Sequence, residues 1–186
     1  MTTAFPPLPN GTADHPVDIR LLSADRRFGI QLPAQCMQTM LEYAARDYPK
    51  ETGGVLLGRY TPSLEIAIVT EVSGPPMDSQ KARSGFWRGI LGLQSLISRL
   101  WKEQQYYLGE WHVHPDGPPV PSVTDHDQMR AISESSAYQC PEPLLLILGY
   151  SKKSFPPRWS AGGYVFPRQG SPIALSNPGP SGRVGI

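Results

Sequence analysis

The sequence predicts a single α/β domain of the α+β kind, in which a mixed sheet is flanked by helices. Two observations lead to this prediction. Stretches with the two-residue alternation of strands and stretches with the three- and four-residue spacing of amphipathic helices are mixed along the chain, without the strict alternation of a parallel fold. The chain has 186 residues and no visible internal repeat, which fits one domain large enough to bury its own core.

Proline sets the expected limits of this domain. Of the 21 prolines, eight lie in residues 1–16 and 167–186, where no apolar period is visible. We therefore expect a flexible N-terminal tail over residues 1–16 and a Pro/Gly-rich C-terminal tail over 167–186. The folded domain is expected between them, over residues 17–166.

The first half of the domain alternates strands with one helix. Alternating apolar residues predict strands at 17–21 and 28–32. Pro33 stands at the first position of a helix, whose apolar residues recur at three- and four-residue spacing until Pro49 ends it. Two further strands are expected at 53–60 and 64–72.

The second half begins with a polar loop at 74–85, which precedes a helix predicted over 86–104. A strand predicted at 106–111 runs directly into a histidine-containing segment. The remaining predicted elements are a helix over 122–133 and strands at 144–150 and 159–166.

Composition excludes several classes of protein. The 17 Lys and Arg residues nearly balance the 16 Asp and Glu residues, so a nucleic-acid partner is not expected. The two cysteines, Cys36 and Cys140, are too few for a disulfide framework or a four-thiolate metal site. The first residues lack the pattern of a signal peptide, and the longest aliphatic run, 144–148, is too short to span a membrane. We expect a cytoplasmic protein without a membrane partner.

A cluster of histidines and an acidic residue carries the candidate chemistry. His112 and His114 are two residues apart at the end of a predicted strand, so their side chains share one face. Asp125 follows near the start of the next helix, from which its carboxylate can turn back as a third ligand. Two imidazoles and one carboxylate with an open fourth position are typical of a hydrolytic zinc site, where the pKa of bound water falls to about 7.

Each part of this pattern also has a purely structural interpretation. Ser122 and Asp125 form a capping-box pattern at the start of the predicted helix, and a single His-x-His is weak evidence for a metal. Glu51 is compatible with the solvated end of a helix, and Gly53 and Gly54 with a turn. The joint spacing of the two histidines and the Ser122–Asp125 pair favours the metal site, and capping does not exclude ligation.

With these residues the chain resembles the JAMM (MPN-type) zinc metalloproteases, over residues 17–166. Their motif is an upstream Glu, then His-x-His-Pro, then Ser-x-x-Asp after a fixed interval. It is matched here by Glu51, by His112-Val113-His114-Pro115 and by Ser122-Val123-Thr124-Asp125. The resemblance implies a mixed, largely antiparallel sheet flanked by helices, in an MPN/JAMM-like (cytidine-deaminase-like) single domain.

The resemblance also implies a role for each matched residue. His112, His114 and Asp125 are expected to bind one catalytic zinc ion. Glu51 is expected to hydrogen-bond the zinc water and shuttle its proton, and Ser122 to help hold the tetrahedral intermediate. Val113 stands where Ser or Thr is common in the family, but because it points away from the metal we expect little consequence.

Other polar residues near the motif are weaker candidates. Asp116 would extend the histidines into the opening of the metallo-β-lactamase signature, but Gly117 stands where that signature needs a histidine. A cytidine-deaminase zinc site is excluded because the chain has no Cys-x-x-Cys. His126 and Asp127 are expected to be exposed or to lie behind the ligands, and Glu110 stays unassigned.

Residues 107–112, with Phe86-Trp87 and Gln94, are similar to prokaryotic members of the family, including the peptidases of CBASS and of bacterial ubiquitin-like conjugation operons. The resemblance implies an isopeptidase or peptidase that cleaves after the C-terminus of a ubiquitin-like modifier, with E1-like or E2-like partners. Loops 74–85 and 115–121 are the expected walls of a channel for an extended substrate tail. Two alternatives stay open: a JAMM hydrolase of a sulfur-carrier protein precursor or small amide, and a catalytically silent MPN scaffold.

Overall fold

The computed structural model describes residues 10–178, and residues 1–9 and 179–186 lie outside this range. Within it, the helices are α1 (Ala34–Asp47), α2 (Leu93–Trp101) and α3 (Val123–Glu134). None of these three helices is both long and apolar enough to cross a membrane. The strands of the same range are β1 (Asn10–Thr12), β2 (Ile19–Leu22), β3 (Gly29–Leu32), β4 (Gly53–Tyr60), β5 (Ile66–Val72), β6 (Gln80–Ala82), β7 (Gly85–Trp87), β8 (Tyr106–Pro115), β9 (Leu144–Ser151), β10 (Arg158–Val165) and β11 (Ile173–Leu175).

Nine of these strands form one curled sheet. Its order is β1-β10-β9-β8-β4-β5-β3-β2, and β11 also pairs with β10. The β8–β9 and β3–β5 pairs are parallel, and the remaining pairs are antiparallel. An antiparallel bridge between Leu22 and Ser176 brings the two ends of the sheet together. The predicted mixed, largely antiparallel sheet with flanking helices is therefore confirmed.

The central strands of this sheet are buried on both faces. Met37 and Met40 of α1 belong to the same apolar cluster as Leu56 of β4. The neighbouring Val55 and Leu57 belong to a second cluster, which includes residues of α2 and α3. Neighbouring strand residues point to opposite faces, and full burial of each such side chain contributes about 1.5–3 kcal/mol. The two apolar clusters pack on opposite faces of the sheet and so hold β8, which lies between β4 and β9 in the middle of the strand order.

Helix α1 lies close to its predicted limits. The sequence predicts Pro33 as the first residue of the helix, but in the structure it is the N-cap residue, one position earlier. The carboxylate of Asp18 accepts a hydrogen bond from the backbone N–H of Ala34 (2.7 Å) and so satisfies one of the free donors at the helix start. The helix ends at Asp47, shortly before Pro49, which has no N–H to continue it.

The helix predicted over 86–104 is wrong at its start, and the loop predicted over 74–85 contains a strand. β6 pairs with β7 in a separate hairpin, and α2 begins only at Leu93. Gly92 has a φ of 81°, a left-handed conformation that an ordinary helix excludes. Asp78 accepts hydrogen bonds from the N–H groups of Ile90 (3.0 Å) and Leu91 (3.1 Å), which holds the preceding residues in a turn. The apolar period continues through these residues, which is why it predicts too long a helix.

The sheet also extends into both segments predicted as tails. Asn10–Thr12 pairs with the start of β10, and Ile173–Leu175 pairs with its end. Each of these strands has only three residues, too few to produce a visible apolar period. The remaining parts of the predicted tails, residues 1–9 and 179–186, lie outside the described range.

Candidate metal centre

Strand β8 brings His112 and His114 together. The two side chains lie on the same face of the strand, and their Nε2 atoms are 3.0 Å apart. Val113 between them points to the opposite face and is 1% exposed in the α1 core, in accord with the expectation that it faces away from the histidines. β9 pairs with β8 at both histidines and β4 pairs with it at His112, so the sheet holds the backbone that carries the two imidazoles.

Asp125 reaches the histidines from the first turn of α3. One of its carboxylate oxygens is 3.5 Å from His112 Nε2, and the other is 3.7 Å from His114 Nε2. The capping box is present as well: the Ser122 N–H donates to Asp125 Oδ2 (2.6 Å), and the Asp125 N–H donates to Ser122 Oγ (3.2 Å). Capping therefore orients the carboxylate toward the histidines.

The electrostatics of the cluster favour the protonation states that ligate metals. Burial lowers the pKa of His114, and the neighbouring His112 lowers it further, which favours neutral imidazole. His114 Nδ1 lies 3.0 Å from the carbonyl oxygen of Pro118, and donation to this oxygen leaves Nε2 with a free lone pair. Burial raises the pKa of Asp125, but contact with His112 and hydrogen bonds from Ser122 outweigh it and hold the carboxyl ionised.

These residues fit a metal ion by geometry and by chemistry. His112, His114 and Asp125 each offer one ligand atom, and all three atoms lie within 4.8 Å of one another. Within residues 10–178 this is the one group of at least three such side chains that meets this criterion. Two imidazole nitrogens and a carboxylate oxygen form the donor set of an open metal site.

Glu51 lies beside the cluster, between α1 and β4. Gly53 pairs with His112, and the Val113 N–H donates to the Thr52 carbonyl (2.8 Å). Glu51, the residue before Thr52, lines the same cleft as His114. Burial raises the pKa of Glu51 to about 7, with His112 opposing and Asp125 adding to the shift. A carboxyl group with a pKa near neutrality is suited to accept a proton and to return it.

Gly53 and Gly54 are the first residues of β4 and do not form a turn. A Cβ atom on Gly53 would lie 2.3 Å from the Trp111 carbonyl oxygen, and one on Gly54 would lie 2.2 Å from the Ser73 carbonyl oxygen. Neither position has room for a side chain, so the two glycines allow the close approach of neighbouring backbones that places Glu51 beside β8.

A cleft of about 320 Å³ opens over the cluster. Its lining includes Glu51, His114, Ser122 and Asp125, together with Arg83 to Trp87 at the turn and second strand of the β6–β7 hairpin. Both segments predicted as channel walls contribute to this lining: the loop 74–85 supplies its last three residues, which β7 continues, and the loop 115–121 supplies Pro115 and Gly117.

The other candidate residues do not join the cluster. Glu110 shares the face of His112, but its carboxylate pairs with Arg88, with a shortest N–O distance of 2.6 Å. Asp116 instead accepts hydrogen bonds from Tyr48 and Ser151. Sequence reasoning missed Arg88, because no local pattern indicates a buried partner that is 22 residues from Glu110. His126 packs against the ring of Phe166, and Asp127 is exposed.

Comparisons with known proteins agree with this arrangement. A family model described as prokaryotic homologues of the JAB domain matches residues 33–160. The chain is 35% identical over 158 residues to a CD-NTase/cGAS isopeptidase of Enterobacter hormaechei, covering 85% of this chain and 86% of that protein. It is 29% identical over 135 residues to the probable metalloprotease y4qB of Sinorhizobium fredii, covering 70% and 82%.

A solved structure supports the same fold. The solution structure of protein DSY2949 from Desulfitobacterium hafniense aligns with a TM-score of 0.54 and 19% identity, covering 77% of this chain and 86% of that one. Together with the family match, which spans the strands and helices that carry Glu51, both histidines and Asp125, this identifies the fold as JAB/MPN. The chain therefore belongs to the prokaryotic JAB (JAMM/MPN-type) family of hydrolases.

Proposed function

We propose that this protein is a zinc-dependent isopeptidase or peptidase that cleaves after the C-terminus of a ubiquitin-like modifier or of a conjugated CD-NTase. The observation that carries the proposal is the convergence of His112, His114 and Asp125, whose ligand atoms lie within 4.8 Å of one another. Glu51, a carboxyl group of near-neutral pKa, lines the same cleft as His114 and Asp125. The name of the Enterobacter hormaechei relative, CD-NTase/cGAS isopeptidase, supports this type of substrate.

The donor set is the one that zinc uses in hydrolytic sites. When zinc is bound by His112, His114 and Asp125, it supplies Lewis-acid chemistry and makes water nucleophilic at neutral pH. Burial of the Glu51 carboxyl group raises its pKa to about 7 in the metal-free chain. In the proposed enzyme Glu51 takes a proton from the attacking water and returns it to the leaving amine.

Ser122 has two roles in this proposal. Its hydroxyl oxygen accepts a hydrogen bond from the Asp125 N–H (3.2 Å), which caps α3. This contact uses a lone pair, so the hydroxyl proton stays available for donation into the cleft that Ser122 lines. Donation to the carbonyl oxygen of the scissile amide would stabilise the negative charge that develops there during attack.

The shape of the cleft suits an extended tail. Among residues 10–178, β7 pairs with β6 alone, through one edge, and it lines the cleft with residues 85–87. A substrate tail that lies along β7 can therefore form strand-like backbone hydrogen bonds with its other edge. The small volume above the metal ligands favours a tail that ends in Gly or another small residue.

We also propose a cytoplasmic role in a bacterial antiphage (CBASS) or ubiquitin-like conjugation system, beside E1-like or E2-like proteins. The relatives named CD-NTase/cGAS isopeptidase in Enterobacter hormaechei and Vibrio cholerae support this setting. In such a system the enzyme would process a precursor, reverse conjugation, or do both.

The proposal is tested by incubating the full chain with two classes of substrate, with and without chelator, and measuring the products by mass. One class is a CD-NTase or ubiquitin-like protein joined through its C-terminal carboxyl to a lysine amine, and the other is the same protein with a C-terminal peptide extension. We expect cleavage at the junction, loss of cleavage with chelator, and cleavage slowed by at least about 100-fold with Glu51→Gln. Intact junctions with zinc-loaded protein would contradict the proposal.

A further inference from the structure

The β6–β7 hairpin, residues 80–87, is attached to the rest of the protein on the side of the metal cleft. The Glu51 N–H donates to the Ala82 carbonyl oxygen (2.8 Å), so the hairpin is bonded directly to the backbone of the proposed proton shuttle. Lys81 pairs with Asp47 at the end of α1, with an N–O distance of 2.8 Å. Both contacts hold β6 and the hairpin turn, but β7 itself carries the wall of the cleft.

β7 is attached through the residue that follows it, Arg88. The Arg88 side chain is 8% exposed and that of Glu110 is 11% exposed, so this ion pair is almost fully removed from water. Arg88 Nε and one terminal nitrogen both approach Glu110 Oε1, at 2.8 and 2.6 Å. The Tyr107 hydroxyl donates to the same oxygen (3.2 Å), and the Tyr138 hydroxyl accepts from Arg88 (2.9 Å).

Such a pair is poorly explained as a source of stability. The desolvation of two charges offsets most of their attraction, and replacement of buried ion pairs by apolar residues is often neutral or stabilising. What an apolar pair cannot supply is direction, because hydrogen bonds from a planar guanidinium fix both distance and orientation.

The position of the Arg88–Glu110 pair in the fold links the orientation of β7 to the metal-ligand candidates. Arg88 directly follows Trp87, the last residue of β7, and Glu110 lies two residues before His112 on the same face of β8. The pair therefore connects the strand that lines the cleft to the strand that carries two of the three metal-ligand candidates.

We propose that Arg88 and Glu110 are positioning residues, which fix β7 at the distance from the metal ligands that an extended substrate tail requires. The expected effect of the pair on substrate binding rests on the proposed function. Its expected effect on the position of β7 rests on the hydrogen bonds alone. Loss of the pair leaves the metal ligands and Glu51 in place but frees the cleft wall. Substrate binding then weakens, while the chemical step of bound substrate is affected less.

The test uses the double variant Arg88→Met/Glu110→Leu, in which an apolar pair replaces the charged one, together with Arg88→Lys, which keeps the charge. The matched control is Arg99→Met/Glu71→Leu, which removes an exposed ion pair (3.5 Å) between α2 and β5. Each protein is analysed for zinc content, for thermal unfolding and for the rate of tryptic cleavage after Lys81 and Arg83 in the hairpin. KM and kcat are then measured on the isopeptide-linked conjugate described above.

We expect the double variant to bind zinc and to unfold near the wild-type temperature. Tryptic cleavage of its hairpin should be faster than in the wild type, and its KM should rise about tenfold while its kcat stays within about threefold of the wild-type value. Arg88→Lys should show smaller changes of the same kind, and the control should match the wild type. The inference would be overturned if both Arg88→Lys and the double variant had the hairpin cleavage rate and the KM of the wild type. If the double variant does not fold, the result for Arg88→Lys alone decides. If no conjugate is cleaved, the proposed function fails, while the tryptic rates still decide whether the pair holds the hairpin.

Discussion

Replacement of Asp125 by Asn and of Ser122 by Ala separates metal binding from helix capping. An Asn side chain still offers an oxygen to the Ser122 N–H, which lies 2.6 Å from the Asp125 carboxylate. The interactions of the charge with His112 and with the helix dipole are lost, but the cost of burying that charge is lost with them. The free energy of unfolding of the metal-free protein should therefore change by about 1 kcal/mol or less. Ser122→Ala removes the hydroxyl that accepts from the Asp125 N–H, which should cost about 0.5–2 kcal/mol.

Zinc affinity should show the opposite pattern. Loss of a group that only orients a ligand costs about 10–100-fold in metal affinity, so loss of an anionic ligand in Asp125→Asn should cost more than about 100-fold. In Ser122→Ala the backbone N–H that orients the carboxylate is retained, and the affinity should fall by less than about tenfold.

Two measurements on each variant distinguish a metal ligand from a capping residue: urea unfolding of the metal-free protein, and zinc titration against a competing chelator. We expect Asp125→Asn to be stable and unable to hold zinc, and Ser122→Ala to be less stable and able to hold it. If Asp125→Asn binds zinc like the wild type and is destabilised like Ser122→Ala, Asp125 is a capping residue and the assignment as a ligand is refuted.

Three further predictions concern Glu51 and Asp47. Glu51→Gln should retain zinc while kcat falls by about 10²–10⁴-fold in the conjugate assay, as expected for a lost general base; a kcat near wild type would exclude the proton shuttle. Burial raises the pKa of Glu51 to about 7 from an ordinary value of 4.5, so the metal-free wild type should lose stability relative to Glu51→Gln as pH rises from 4.5 to 7. Unfolding titrations of both proteins measure this difference, and parallel curves of unfolding free energy against pH would argue against the buried carboxyl group. Burial raises the pKa of Asp47, but hydrogen bonds from Arg46 and Lys81 lower it well below its usual range, so Asp47 stabilises the fold above its ordinary pKa and loses this effect in acid. Asp47→Asn should therefore destabilise the protein more at pH 7 than at about pH 2, because the stabilisation falls below the ordinary pKa and is fully lost only below the lowered one, and equal destabilisation at both pH values would contradict the ion pairs.

The sequence predicts the position of the metal-ligand candidates well, because this part of the site depends on local rules. Alternation along one strand puts His112 and His114 on the same face, and the capping geometry of α3 turns Asp125 toward them. Both rules act within a few residues, so they are visible in the chain. The proline-containing loop between them adds the carbonyl of Pro118, which contacts His114.

The substrate side of the cleft could not be predicted in the same way. The β6–β7 hairpin occupies the end of the segment predicted as a polar loop and the first two residues of the predicted helix. It is stabilised by Asp78, Lys81 and Arg88 through contacts with other parts of the chain. Glu110 could not be assigned from the sequence because its partner is known only once the hairpin is folded. Tertiary contacts of this kind override local periodicity, and no pattern of a few residues encodes them.

The central claim is that His112, His114 and Asp125 hold a zinc ion on which isopeptide cleavage depends. The most direct measurement is the stepwise return of zinc to chelator-treated protein, with cleavage of the isopeptide-linked conjugate followed by mass at each step. We predict that cleavage is absent without metal and rises linearly until one zinc is bound per chain. Cleavage at the full rate by metal-free protein, or no cleavage after one zinc is bound, would contradict the claim.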